Sequence, residues 1–497
     1  MTESLSRLFY LLLATGCTVS LCSRAETIYL YDLRYTAQLS RQDAFENTHL
    51  VAILSGIANR NSAVLYTLLT NADEQWKDYL TSPDQWLDGA QFVTIGSISD
   101  LVLTFRSLIS GVVLYDPVVY ATSNVASTAG GVYDALPVCY RPNDAGSLYS
   151  VLVGEASELR LPVALNLERF IDSNLCNSTF LAYYVDYYAT TVSPSSDYTI
   201  MTVSNHDYFA SKKAFFFDLD VWGDETPNDD PRQPVGTDRN MLLQVLQSAY
   251  VQTKGSSMIH IGGFTPWAFK YTDGHSQHGH GGVETEWESV RVFTSYNAYV
   301  DADACCIGAM ANAAFYQHFP LPVNMTQNPA PTMQQLMEKG YIDADGKVVP
   351  KNYCVFYAGD YDSAAWLYSQ LRGLWDDPMR GQVPIGWAID PELSLRFPVI
   401  FPYLYSTRTE ADFFIAGDSG SGYLNPSQLL PPRQVSRILK SGGQGLSGQI
   451  TSEAEDLYTS FSPLGIVLTP SDDPDQSNVH LHGTMPVFHH VSDLPNG

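Results

Sequence analysis

The chain has 497 residues, 45% of them hydrophobic, which is enough for more than one domain and for sizeable cores. Its 53 acidic and 27 basic side chains give a formal charge of −26, which repels phosphate backbones and excludes a nucleic-acid binder. The acids are scattered rather than gathered in a tail, as on a solvated acidic surface.

At the start, residues 8–22, LFYLLLATGCTVSLC, form an apolar run after Arg7, and the small-residue site Ser23-Arg24-Ala25 follows. This layout reads as a secretory signal peptide over residues 1–25, so a secreted protein is expected. No later apolar run reaches the roughly 18 residues that span a bilayer. Cys17 and Cys22 would leave with the signal. The other five cysteines, Cys139, Cys176, Cys305, Cys306 and Cys354, are an odd, dispersed set whose pairing cannot be read from spacing. The sequons Asn177-Ser178-Thr179 and Asn324-Met325-Thr326 agree with export.

After the signal, strands and helices alternate. TIYLYDL (27–33) reads as a strand, residues 42–60 as an amphipathic helix and AVLYTLL (63–69) as a strand. A short helix, DEQWKDYL, leads to the strand QFVTIG (91–96), a helix from Ser99, and the strand GVVLYDP (111–117). Residues 118–150 are less regular and rich in Gly, Ser and Pro. A helix is expected over 179–192 and a strand within 213–225. A Pro/Asp/Gly loop (229–238) marks a boundary. Beyond it come a helix over 239–253, strands at 257–264, 383–390 and 463–471, a strand, loop and helix over 352–375, and a strand followed by a loop over 412–423. The pattern predicts an α/β protein with mostly parallel sheets. Its expected parts are an N-terminal α/β domain (26–118), a middle α/β segment (119–238) and a C-terminal unit (239–497) expected to be catalytic.

Acidic, Gly and aromatic residues cluster just after the apolar strands: Asp218 and Trp222, Phe264 and Trp267, Asp360 and Tyr361, Trp387 and Asp390, Asp418 and Tyr423. In parallel α/β folds the loops at the carboxyl ends of strands form the active face. Gly417-Asp418-Ser419-Gly420 looks like a protease nucleophile loop, but the chain is α/β and its only early histidine, His49, lies in a predicted helix. Gly-x-Ser-x-Gly is broken by Ser421, so a nucleophile elbow is excluded too. Residues 443–448 fit GxGxxG, yet a helix precedes them instead of a strand, so a dinucleotide site fails its context test.

The loop Gly420-Ser421-Gly422-Tyr423-Leu424-Asn425-Pro426 resembles the signature of the GxGYxYP family of glycoside hydrolases, with Asn425 in place of the pattern's Tyr. The stretches DPRQPVGTD (230–238), GGFTPWAFKYT (262–272), GGVETEWE (281–288), YNAYVDADA (296–304), MANAAFYQHFP (310–320) and GDYDSAAWL (359–367) are also similar to that family. The resemblance implies small α/β N-terminal domains followed by a larger, barrel-like α/β C-terminal domain, and a carbohydrate substrate. It supplies no catalytic pair.

Glycoside hydrolysis needs two carboxyl groups, one acid and one base or nucleophile. Asp362, before Ser363-Ala364-Ala365, suits a helix N-cap, which leaves Asp360 to face the cleft. Asp418 sits between glycines that allow close approach of a ligand. Glu286 stands in a Gly-rich stretch that opens a helix. Asp360 with Asp418 or Glu286 is therefore the candidate pair. Trp267, Tyr361, Trp387 and Tyr423 are candidate sugar platforms, and Gly420 and Gly422 candidate ligand-contacting positions. His275, His278 and His280, and separately His480, His482, His489 and His490, have metal-like spacings, but their loops offer little rigid support. No metal or other cofactor is expected. A metal-dependent hydrolase or carbohydrate deacetylase, and a non-catalytic carbohydrate-binding protein, are the alternatives.

Overall fold

The computed structural model describes residues 24–119, 122–167, 188–190, 205–219, 221–227, 233–253, 259–263, 285–302, 310–322, 325–361, 364–416, 466–468, 480–482 and 485–489. Residues 1–23 of the expected signal, the first sequon and Asn324 lie outside them.

The chain is mixed α/β, built from small, mainly parallel sheets with helices packed on them. β1 (Arg24–Asp32) lies between β2 (Ala63–Leu68) and β3 (Gln91–Ile95). The crossover helix Arg41–Ala58 begins where the Ser40 hydroxyl accepts the amide of Asp43 at 3.1 Å. β4 (Gly111–Tyr115) pairs with β5 (Ala135–Cys139) and β6 (Val163–Asn166). A third sheet has the order β10-β9-β7-β8, with β7 at Tyr188–Thr190, β8 at Phe215–Phe217, β9 at Ile259–Gly263 and β10 at Ala298–Ala302. The fourth contains β11 (Phe356–Tyr361), β12 (Ile385–Ile389) and β13 (Asp412–Ile415). In the fifth, β14 (Ile466–Leu468) runs parallel to β16 (Met485–His489), and β15 (His480–His482) is antiparallel to it.

Each sheet has three or four strands, and among the described residues none closes into a barrel. β4 lies before residue 118 and its partners after it, and β7 and β8 lie before residue 238 with β9 and β10 beyond. Two local expectations change. Residues 118–150 contain a twelve-residue helix, Thr122–Tyr133, and a strand. Tyr188–Thr190, expected as a helix end, is a strand held between β8 and β9.

Close helix contacts explain the small residues. A methyl group on Gly56 would stand 2.5 Å from the carbonyl oxygen of Asp207 and 2.7 Å from Cβ of Ala210. Helices Arg41–Ala58 and His206–Ser211 can therefore touch backbone to backbone only with glycine there.

A buried polar network ties the first sheet to the segment carrying the fourth. Asn312, in the left-handed region at φ 71°, donates from Nδ2 to Asp73 Oδ1 (3.0 Å) and to the Thr67 carbonyl (2.8 Å). Its Oδ1 accepts the Thr67 amide at 2.7 Å. The Tyr368 hydroxyl donates to Asp73 Oδ1 at 2.5 Å, and Trp76 Nε1 donates to the Tyr368 carbonyl at 2.9 Å. Burial pushes Asp73 up to about 6, against the hydrogen bonds from Tyr368, Thr70 and Leu69 that favour its charged form.

Candidate functional site

The fourth sheet brings the candidate residues together. β11, β12 and β13 are parallel, so their carboxyl ends lie side by side at about 4.8 Å per strand. Along β11, Ala358 pairs with Trp387 and Tyr361 with Ile389: three steps on one strand face two on the other. One extra residue is accommodated at Gly359-Asp360, a register shift of the kind that re-aims a side chain beside a functional site. Asp360 stands in this irregularity and Tyr361 ends the strand.

β12 leads into the 3-10 helix Pro391–Leu395. Asp390 is its cap: the carboxylate accepts the Glu392 amide at 2.9 Å, and Pro391 fills the first helical position. Glu392 is nearly buried, with Oε1 3.4 Å from the Tyr299 hydroxyl and 4.0 Å from His260 Nδ1. His260 and Tyr299 are register partners on β9 and β10, and their rings stack 5.2 Å apart at 2°. This acid thus joins the third sheet to the fourth.

β13 is fixed at its start. Buried Asp412 accepts Trp387 Nε1 at 2.9 Å and the amide and hydroxyl of Thr409 at 2.7 and 2.8 Å, and is ion-paired with Arg380. The Arg380 guanidinium lies 4.0 Å from the centre of the Trp375 ring. Trp387, a candidate platform, is 5% exposed and meets Trp375 edge-on at 5.2 Å, so its described surroundings are those of a core residue.

Glu286 lies in the first turn of helix Thr285–Thr294, which precedes β10. A crossover helix between parallel strands starts on the carboxyl side of its sheet. Glu286 therefore shares a carboxyl edge with β9 and β10, in a different sheet from Asp360. Trp267, Asp418, Gly420, Gly422, Tyr423, His275, His278 and His280 lie outside the described residues. Among the described residues no three His, Cys, Asp or Glu side chains gather as a metal site would require, and no helix is long and apolar enough to cross a membrane. Sequence reasoning missed Glu392, His260 and Tyr299. The acid two residues beyond the post-strand Asp390 was the available signal.

The strongly shifted groups lie elsewhere. Burial pushes Asp207 up to about 7, although its carboxylate accepts the Ala314 amide at 2.7 Å. Burial also holds His206 down at about 3 and His49 well below its usual range. His49 and His206 are enclosed, whereas Asp207 borders a small cavity with Thr48, Ser55, Thr67 and Asn312; burial is the largest cause of all three shifts.

Comparison with known proteins bears on the fourth sheet directly. Residues 350–447 match the family model described as "GxGYxYP putative glycoside hydrolase C-terminal domain". This segment is similar to the GxGYxYP C-terminal domain. It holds all of β11, β12 and β13, and it includes Asp360, Asp418 and the Gly420–Pro426 loop. A crystal structure described as a "putative hydrolase" from Bacteroides thetaiotaomicron aligns with a TM-score of 0.59 and 16% identity, over 94% of this chain and 80% of that one. That likeness is one of fold. No curated protein matches the chain.

Proposed function

We propose that the protein is a secreted glycoside hydrolase that cleaves a glycosidic bond with a pair of carboxylates. Asp360 is one of the pair, and Asp418 or Glu286 is the other. The observation that carries this reading is the register shift in β11. It sets Asp360 at the carboxyl end of a parallel sheet, inside the segment that matches the glycoside hydrolase family.

Asp418 follows the last residue of β13 by three positions, and β13 is two strands from β11, about 10 Å of sheet. The separation of the two carboxyl groups sets the stereochemical outcome: about 5–5.5 Å for retention, roughly 6.5–9.5 Å for inversion. One group protonates the leaving oxygen. The other attacks the anomeric carbon or activates a water. Asp412 and Arg380 anchor the start of β13.

The test is activity on a panel of neutral glycans, assayed with and without chelator. Reducing-end release that survives chelation supports the reading. Activity abolished by chelator and restored by zinc identifies a metal-dependent hydrolase or deacetylase instead. Binding without turnover identifies a carbohydrate-binding protein.

A further inference from the structure

Three aromatic side chains are exposed at and just before the start of β11. Tyr353, Phe356 and Tyr357 are 45%, 53% and 49% exposed, within seven residues of Asp360. Exposed aromatics at this density are unusual on a free surface. Tyr353 is held in place: its hydroxyl, with one proton to donate, lies 2.7 Å from the Val349 carbonyl and 3.0 Å from that of Tyr341, and its ring meets that of Tyr341 at 5.9 Å.

Tyr357 is the informative one. It precedes Asp360 by three residues, and its ring leans along the strand over Gly359. A Cβ on Gly359 would stand 2.8 Å from ring atom Cε1, 3.5 Å from Cζ and 3.6 Å from the hydroxyl oxygen. Only glycine at 359 lets the ring lie there, so the register irregularity and the aromatic form one arrangement. The ring is supported on one side by bare backbone and remains half exposed.

We infer that Tyr357 is the sugar platform next to the catalytic residue Asp360, stacking on a pyranose ring of a neutral glycan laid along the β11 edge. This rests on the glycosidase reading and adds the binding residue and the substrate class to it. A ring with an apolar face and a polar tip suits a sugar, which is likewise apolar on its faces and hydroxylated at its rim. The formal charge of −26 disfavours polyanionic glycans and leaves neutral chains.

The test uses the full chain and four soluble neutral polysaccharides, xylan, β-glucan, mannan and galactan, in affinity gels. Calorimetry on the retained glycan follows, in an Asp360→Asn background so that substrate persists. Tyr357→Ala should weaken binding about tenfold, a loss of about 1.4 kcal/mol, and Tyr357→Phe should stay within about twofold. Gly359→Ala, which displaces the ring without removing it, should weaken binding as well. In the active protein Tyr357→Ala should raise KM with little change in kcat, whereas Asp360→Asn should lower kcat. Unchanged affinity in Tyr357→Ala overturns the platform and leaves the catalytic reading standing if Asp360→Asn is inactive. Full activity in Asp360→Asn overturns the catalytic reading. Failure of the folded protein to retain any of the four glycans overturns the platform.

Discussion

Replacing His206 with Phe should change how stability depends on pH, by an amount fixed by a buried cluster. Ser127 Oγ lies 2.6 Å from His49 Nε2, 2.9 Å from His206 Nε2 and 3.1 Å from the Ser123 carbonyl. A hydroxyl has one proton to donate, and the carbonyl can only accept. All three bonds form together if Ser127 donates to Ser123 and accepts Nε2–H from two neutral imidazoles. His49 Nδ1 then has no hydrogen-bond partner among the described residues to receive a second proton's bond. The charged groups nearby are few: Glu46 on the helix of His49, Asp207 beside His206, and the phenol of Tyr115 against His49.

Burial holds His206 at about 3, below its unfolded value of about 6.5. The unfolded chain therefore takes up a proton that the folded chain refuses as pH falls below about 6.5. The stability from this group is complete above that pH and declines by about 1.4 kcal/mol per pH unit on acidification towards 3. From pH 6.5 to 4.5 the loss is about 3 kcal/mol. Asp207, pushed up to about 7, and Asp73, up to about 6, act in the opposite direction: their burial costs stability as pH rises from about 4 towards those values. Their opposition flattens the profile of the natural protein, so the difference between proteins is the readout. Phe keeps the stacking on Phe216, whose ring centre lies 4.3 Å from that of His206. Urea unfolding followed by tryptophan fluorescence should show His206→Phe less stable at pH 7.5. That gap should narrow by about 3 kcal/mol between pH 6.5 and 4.5. A gap constant across the range refutes the reasoning.

Three further outcomes can be checked by calorimetry. Gly56→Val should cost about 1–3 kcal/mol, because its side chain meets the Asp207 carbonyl and Ala210; an unchanged Tm contradicts the backbone contact. Tyr368→Phe removes the shortest bond to buried Asp73 and should cost about 1–3 kcal/mol, while Tyr357→Phe, which lies on the surface, costs little. Arg380→Met leaves the Asp412 carboxylate buried without its cation and should cost about 3–5 kcal/mol; a loss below 1 kcal/mol shows that Trp387 and Thr409 suffice.

Much of the fold was legible wherever a strand is a continuous apolar run. Leu65 and Val113 sit in strands close to their expected bounds, because runs of branched and aromatic side chains suit a sheet covered on both faces. Helix Thr122–Tyr133 was hidden: its Ser, Thr and paired Gly residues are poor helix formers. Its glycines serve packing, since a methyl on Gly130 would meet the Ala135 carbonyl at 2.8 Å. Tyr188–Thr190 reads locally as helix and becomes a strand only because Phe215–Phe217 and Ile261–Gly263 flank it, pairings no local pattern contains. At the site, the position of Asp360 after a strand was readable. The extra residue that distinguishes it is a relation between two strands and was not. Asp390 shows the converse: the same post-strand acid pattern produced a helix cap. Glu392 becomes noticeable only once β9 and β10 are folded against it.

The most direct measurement is the kcat/KM of Asp360→Asn against that of the natural protein, on whichever neutral glycan is cleaved, with folding verified by an unchanged Tm. Loss of a group that transfers the proton or attacks the sugar predicts a fall of about 10²–10⁴, carried by kcat. Turnover by Asp360→Asn at the natural rate contradicts the account.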